Sequence, residues 1–137
     1  MGPLRKTAAV FGATAVLMTG TAVAAPPAAA ATYGGECGSG YNVVNRDAIG
    51  NRGTVFLTYN NGNGKNCVLA KRNSPGSRVI VEAGLSISPA GSHWDRYDGG
   101  RYTTYAGPIY LEAAGNCVDW MGRISGVEGG KRGTNCG

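Results

Sequence analysis

Four cysteines, Cys37, Cys67, Cys117 and Cys136, stand behind a leader-like N-terminus, and no other feature of the sequence constrains the fold as much. The leader begins with two positive charges, Arg5 and Lys6, and continues as an uncharged Ala- and Val-rich run from Thr7 to Ala25. Pro26, Pro27 and a string of alanines then give way to polar, Gly-rich sequence at Tyr33. A basic head, an apolar middle and a small-residue end are the pattern of a secretory signal peptide. A membrane anchor needs about 20 strongly apolar residues, and Gly12, Thr14, Thr19, Gly20 and Thr21 dilute this run. The expectation is a signal peptide over residues 1–31, cut between Ala24 and Ala31, and an extracellular domain over residues 32–137 with no membrane span.

Export makes the cysteines structural. An even number of cysteines in an oxidising compartment reads as disulfides. A metal site would need ligand spacing that the chain lacks, because no two cysteines form a C-x-x-C pair and His93 is the only histidine. No cofactor or metal is therefore expected. Four cysteines admit three pairings, and sequence does not choose among them. The arrangement we favour joins Cys37 to Cys67 and Cys117 to Cys136, one staple in each half. In the chain-entropy account each loop contributes roughly 3–4 kcal/mol. That is a large share for a domain of this size, which buries only roughly 60–68% of its unfolded surface.

The mature region reads as strands, with no stretch at helical period. From Thr54 to Tyr59, Val55, Leu57 and Tyr59 alternate with Thr54, Phe56 and Thr58. Asn60-Asn61-Gly62-Asn63-Gly64 is a turn cluster, and Cys67 to Ala70 runs back, so Thr54–Lys71 is a predicted hairpin. Arg78 to Ile87 alternates cleanly, with Val79, Val81, Ala83, Leu85 and Ile87 on one side and only Ile80 out of place. Ser88–Gly100 reads as a polar loop, followed by strands over Tyr102–Tyr105, Ile109–Ala113 and Cys117–Met121. The last sixteen residues read as a wrap held by Cys136. The sequence around Ile109–Val118 echoes that around Val55–Val68, as a second hairpin would. The fold class is all-β, a single small antiparallel sandwich or barrel of about six to eight strands braced by two disulfides. The pattern suits sandwich and barrel equally, and oligomeric state stays open.

The catalytic inventory is thin. His93 is the only imidazole, no G-x-S-x-G motif accompanies it, and the cysteines are committed to bridges. Glu112 and Asp119 fall on adjacent predicted strands, the one carboxylate pair that a glycosidase reading could use. A ribonuclease built on Glu112, His93 and an arginine is equally bare of support, so no catalytic residues are assigned. Without Arg5 and Lys6 the chain has eleven basic residues against eight acidic ones, a net charge of +3. The basic residues are scattered, unlike the clustered stripe of a nucleic-acid binder. Among the aromatics, Tyr105, Tyr110 and Trp120 suit a small core. Trp94 and Tyr97 sit in the polar run His93-Trp94-Asp95-Arg96-Tyr97-Asp98, where rings serve no evident folding purpose. They are the candidate ligand-stacking residues.

Cys37-Gly38-Ser39-Gly40-Tyr41, Thr54-Val55-Phe56-Leu57-Thr58-Tyr59-Asn60 with Asn66-Cys67-Val68, Tyr102–Tyr110, Asn116-Cys117-Val118-Asp119-Trp120 and Asn135-Cys136-Gly137 together resemble the spore-associated protein A family of filamentous actinobacteria. The resemblance spans nearly all of the mature chain and includes the four cysteines. It implies a small exported protein found with aerial hyphae and spores, without an established enzymatic activity or catalytic residues to carry over. The functional expectation is a non-catalytic protein of the spore or cell surface, whose partner would be spore wall or another cell-wall polymer. Two alternatives stand beside it: a wall-polysaccharide-binding module using Trp94 and Tyr97, and a secreted protease inhibitor presenting Arg78, Arg96 or Arg101.

Overall fold

The computed structural model describes residues 12–16, 20–21 and 29–137. Most of the expected signal peptide, including Ala24 at one end of the expected cleavage range, lies outside the described residues. Eight antiparallel strands follow: β1 (Tyr41–Ile49), β2 (Gly53–Asn60), β3 (Lys65–Arg72), β4 (Val79–Ile87), β5 (Arg96–Tyr102), β6 (Tyr105–Glu112), β7 (Val118–Ile124) and β8 (Val127–Thr134). They form two four-stranded sheets, ordered β1-β2-β3-β6 and β5-β4-β7-β8. The sheets do not close into a barrel, and their facing sides share one core of Val55, Leu57, Val68, Val81, Leu85, Val118 and Trp120, among others. No helix among the described residues is long and apolar enough to cross a membrane.

The expected hairpin is β2–β3. Its turn is held by side chains that mimic backbone, as Asn60 Oδ1 accepts from the amide of Gly62 (2.8 Å) and Asn63 Oδ1 from that of Lys65 (3.0 Å). The alternation of β4 also appears in space. Val81, Ala83 and Leu85 are fully buried while Ile80 stays on the outer face, 51% exposed.

Other elements differ from expectation, each for a local reason. Strand β1 carries Asn42, Asn45, Arg46 and Asp47 and breaks its own period with a bulge between Val43 and Asn45, so its sequence lacks the signature of a strand. The second half of the expected loop Ser88–Gly100 is β5, whose core-facing positions hold Asp98 and Gly100 instead of apolar residues. Tyr102 ends β5 and Tyr105 begins β6, so the expected strand between them is a crossing from one sheet to the other. The tail contributes an edge strand, β8. Its Gly129 lies so close to the backbone of Ala48 in β1 that any Cβ would strike the Ala48 carbonyl. A close approach, rather than a turn, explains that glycine. The echo of a second hairpin is not one, because β6 and β7 lie in different sheets.

A second apolar layer lies outside the sandwich. Phe56 and Leu69, opposite one another in the β2–β3 ladder, face away from the main core yet are buried. Residues 31–40 strap across them. Tyr33 packs on Phe56, Cys37 is bonded to Cys67 of β3, and the Tyr110 hydroxyl donates to the Cys37 carbonyl (2.8 Å). Lys71 ties the strap's start through an ion pair to Glu36 and a hydrogen bond to the Thr32 carbonyl (2.9 Å). Burying a phenylalanine stabilises by about 1.5–3 kcal/mol, so the strap is integral to the domain. The second disulfide joins Cys117, just before β7, to Cys136 in the tail.

Candidate functional site

The outer face of the β5-β4-β7-β8 sheet gathers the aromatic residues singled out from sequence. The segment between β4 and β5 folds back over this face and is clamped by two carboxylates. Asp119 of β7, 3% exposed, accepts from the amides of Ala90 (2.8 Å) and Gly133 (2.7 Å). Arg132 also reaches it at 3.4 Å. Burial disfavours the Asp119 anion, but the amides of Ala90 and Gly133, with Ser88 and Arg132, outweigh that and hold its pKa below the ordinary value. Asp95 Oδ2 accepts from the Ile87 amide (2.9 Å), and the Asp95 amide donates to Ser86 Oγ (2.8 Å). The polar character of the segment therefore serves its attachment.

The clamp lays Trp94 flat on β4 at Gly84. A Cβ at Gly84 would stand 2.6–2.9 Å from three atoms of the indole, so only glycine leaves room for the ring. The Arg132 guanidinium lies over the indole, 5.0 Å from its centroid, a cation–π arrangement. Tyr97 is the register partner of Gly84 on β5 and is 52% exposed. Its ring leans over Gly99, where any Cβ would collide with it, and its hydroxyl donates to Glu82 Oε1 (2.6 Å). That hydrogen bond, with burial and the charge of Glu82, raises the Tyr97 pKa. Glu82, Arg123 and Glu128 are register neighbours across β4, β7 and β8. Arg123 pairs with Glu82 at 3.3 Å and with Glu128 at 2.7 Å. The Glu128 hydrogen bond raises the Arg123 pKa against the effect of burial.

Trp94 and Tyr97 thus share one face, around a pair of glycines that flatten it, beside exposed Ile80 and a fixed row of charges. Neither Gly84 nor Arg132 was identified from sequence as part of this surface. A glycine at an outward position of an otherwise regular strand is the signal that could have pointed to a ring lying on it.

The remaining candidates fall elsewhere. His93 is exposed in the same segment. Glu112 is exposed on the outer face of the first sheet, opposite Lys65, whereas Asp119 is buried on the outer face of the second. The sandwich separates the carboxylate pair that adjacent strands would have joined. Tyr110 is on the surface of the first sheet, edge-on to Tyr41 with centroids 5.4 Å apart, while Trp120 is core, 1% exposed. Arg96 and Arg101 are exposed side chains of a paired strand, β5, and Arg78 immediately precedes β4. Among the described residues, no group of three or more His, Cys, Asp or Glu is arranged to hold a metal.

Comparison with known proteins adds the following. No protein-family model matches the chain. No solved structure matches it. The chain is 44% identical over 135 residues to spore-associated protein A of Streptomyces coelicolor (strain ATCC BAA-471 / A3(2) / M145), covering 94% of this chain and 86% of that protein. Identity of that extent, over nearly the whole of both chains, means that the chain belongs to the spore-associated protein A family.

Proposed function

We propose that the protein is exported, acts without catalysis, and is retained on the surface of spores or aerial hyphae. The observation that carries this reading is the 44% identity to a protein named for its association with spores. The basic, apolar and Ala-rich leader supports export, and a doubly stapled β domain suits an oxidising, unprotected location. Antibody labelling of intact spores and aerial hyphae, alongside the culture medium, tests it. Label on the surface is the expected result; protein found only in the medium would overturn it.

A second reading, that retention works by stacking on a wall polysaccharide, is favoured by the common face of Trp94 and Tyr97. Tyr97 keeps half of its surface open for a sugar ring, while Trp94, packed on Gly84 beneath Arg132, braces the surface beside it. The doubly substituted Trp94→Ala, Tyr97→Ala protein should lose retention on spore walls, peptidoglycan, chitin or cellulose at high salt while keeping its fold. Retention unchanged by the double substitution would remove this reading. Retention that disappears with salt alone would point to charge attraction by the weakly cationic domain.

A further inference from the structure

Arginines that lie scattered along the chain are gathered by the fold at one end of the sandwich. Four turns meet there, at residues 50–52, 73–78, 103–104 and 125–126, joining β1 to β2, β3 to β4, β5 to β6 and β7 to β8. Arg52 lies in the first turn, Arg72 precedes the second and Arg78 ends it, and Arg101 stands one residue before the end of β5. Hydrogen bonds make them neighbours. Arg72 Nη1 donates to the carbonyls of Ser77 (2.9 Å), Tyr102 (3.1 Å) and Thr103 (2.9 Å). Arg52 Nη1 donates to the Ser125 carbonyl (3.3 Å), and the Arg52 carbonyl accepts from the Asn73 amide (2.9 Å). Arg78 and Arg101 each donate to the other's carbonyl at 3.4 Å.

Every one of these acceptors is neutral. Among the described residues none of the four arginines is in an ion pair, and none of the four turns contains Asp or Glu. Glu36 is already paired with Lys71, and Glu128, two residues past the last turn, with Arg123. Four positive charges here exceed the net +3 of the chain without Arg5 and Lys6, so the rest of that chain is slightly negative. Like charges held together without counter-ions repel, and a bound anion relieves that repulsion. Arg52, Arg78 and Arg101 are exposed, and one long bond apiece leaves most of the five N–H donors of each guanidinium open.

Two clefts open among them. One, of about 330 Å³, is lined by Arg52, Arg72, Asn51, Ser74 and Ser125, and the other, of about 260 Å³, by Arg78, Thr103 and Thr104, among others. Arg72 lines the first and donates to Tyr102 and Thr103 of the second, so the clefts are neighbours. A planar carboxylate is satisfied by a single guanidinium fork. A phosphodiester points its oxygens in several directions and takes hydroxyl and amide donors beside an arginine. Two adjoining clefts with such mixed donors suit consecutive groups of one chain better than a lone ion. No helix among the described residues stands at this end to enter a nucleic-acid groove. We propose that this end of the sandwich binds a flexible phosphodiester polymer, an assignment that rests on the surface-association reading and names the chemistry of what the protein is retained on. The surface is separate from that of Trp94 and Tyr97.

The test is a titration of the folded protein at low salt with a synthetic glycerol-phosphate oligomer, followed by amide NMR. Poly-L-glutamate, duplex DNA and inorganic phosphate serve as parallel probes. The expected result is tighter binding of the oligomer than of the other three, with shifts confined to the four turns and the strand ends beside them. Log affinity should fall against log salt with a slope of about −2 to −3, as for roughly three to four neutralised phosphates on a single chain. The triple variant Arg52→Gln, Arg78→Gln, Arg101→Gln should bind about tenfold or more weakly, with a slope of about −1 or flatter. Arg72 stays in place because its guanidinium ties the turns together. The control variant Arg46→Gln, Lys65→Gln, Arg96→Gln removes the same charge from exposed positions elsewhere and should bind nearly as the parent does. Equal losses in the two triple variants, equal affinity for poly-L-glutamate, equal or tighter binding of duplex DNA, saturation by inorganic phosphate alone, or no binding at low salt would each overturn the proposal. Because no spores are involved, failure here is distinct from failure to find the protein on spore surfaces.

Discussion

Tyr33 of the N-terminal strap packs on Phe56 of β2, ring centroids 5.9 Å apart, on the side of the sheet that faces away from the main core. An alternating strand would ordinarily show that side to water. Its burial makes the strap a structural layer.

The Phe56→Ala substitution should therefore cost about 3–5 kcal/mol, as for a phenylalanine in a core. Thr54, on the same face but near the sheet end, should tolerate alanine far better. Urea unfolding of the two variants checks the contrast; a Phe56→Ala cost below about 1 kcal/mol, the range of an exposed position, would show that the strap does not seal this face.

Gly84 should not accept a side chain. In the Gly84→Ala protein the new Cβ meets the Trp94 indole, so the ring must lift or the strand must shift, at about 1–3 kcal/mol. The indole N–H resonance of Trp94 should move strongly. That of Trp120, whose Nε1 donates to Thr134 Oγ1 at 2.8 Å inside the sandwich, should stay in place.

Acid should loosen the strap and the clamp together. Burial opposes ionisation of Glu36, but hydrogen bonds from Lys71 and from backbone amides, including that of Gly34, hold its pKa below the ordinary 4.5. Asp119 is likewise held below 3.8. A carboxylate whose folded pKa is depressed contributes stability that is fully present above its unfolded value and lost as pH falls through the folded one. The urea midpoint should thus be level from neutrality down to about pH 5 and fall as pH drops below roughly 4. The Asp119→Asn variant should be less stable than the parent at pH 7 and converge with it in acid. Parallel curves for the two proteins at every pH would dismiss Asp119 as a contributor.

The two disulfides should differ in their response to reductant. Cys37, in the strap, and Cys67, beneath it, are both buried, whereas Cys136 lies exposed in the tail. Thiol–disulfide exchange needs access to a sulfur, so mild reductant should open Cys117–Cys136 first. Alkylation and peptide mass mapping over time reads the order directly.

Much of this architecture is legible along the chain. The β2–β3 hairpin is written in Val55-Phe56-Leu57 and the Asn/Gly turn, and β4 in its unbroken alternation, because both elements bury one continuous face. Three of the four edge strands leave no such record. In β1 a bulge shifts the period, β5 turns Asp98 and Gly100 inward, and β8 needs Gly129 to approach Ala48. An edge strand is specified by what it pairs with, so its own composition says little.

The candidate surface divides in the same way. Trp94 and Tyr97 stood out in sequence because rings in a polar run lack a local folding reason. That they share one face depends on Gly84, Asp119 and Arg132, which are 10 to 38 positions from Trp94 and meet it only through sheet pairing and the clamp. Likewise Glu112 and Asp119, seven residues apart, lie on opposite faces because the chain changes sheets between β6 and β7. The sequence by itself determined the all-β class, the central strands and the conditions for two disulfides, since periodicity, turn chemistry and cysteine content act locally. Tertiary structure alone decided the sandwich, the strap over Phe56 and the neighbours of Trp94, since each depends on contacts between segments distant in the chain.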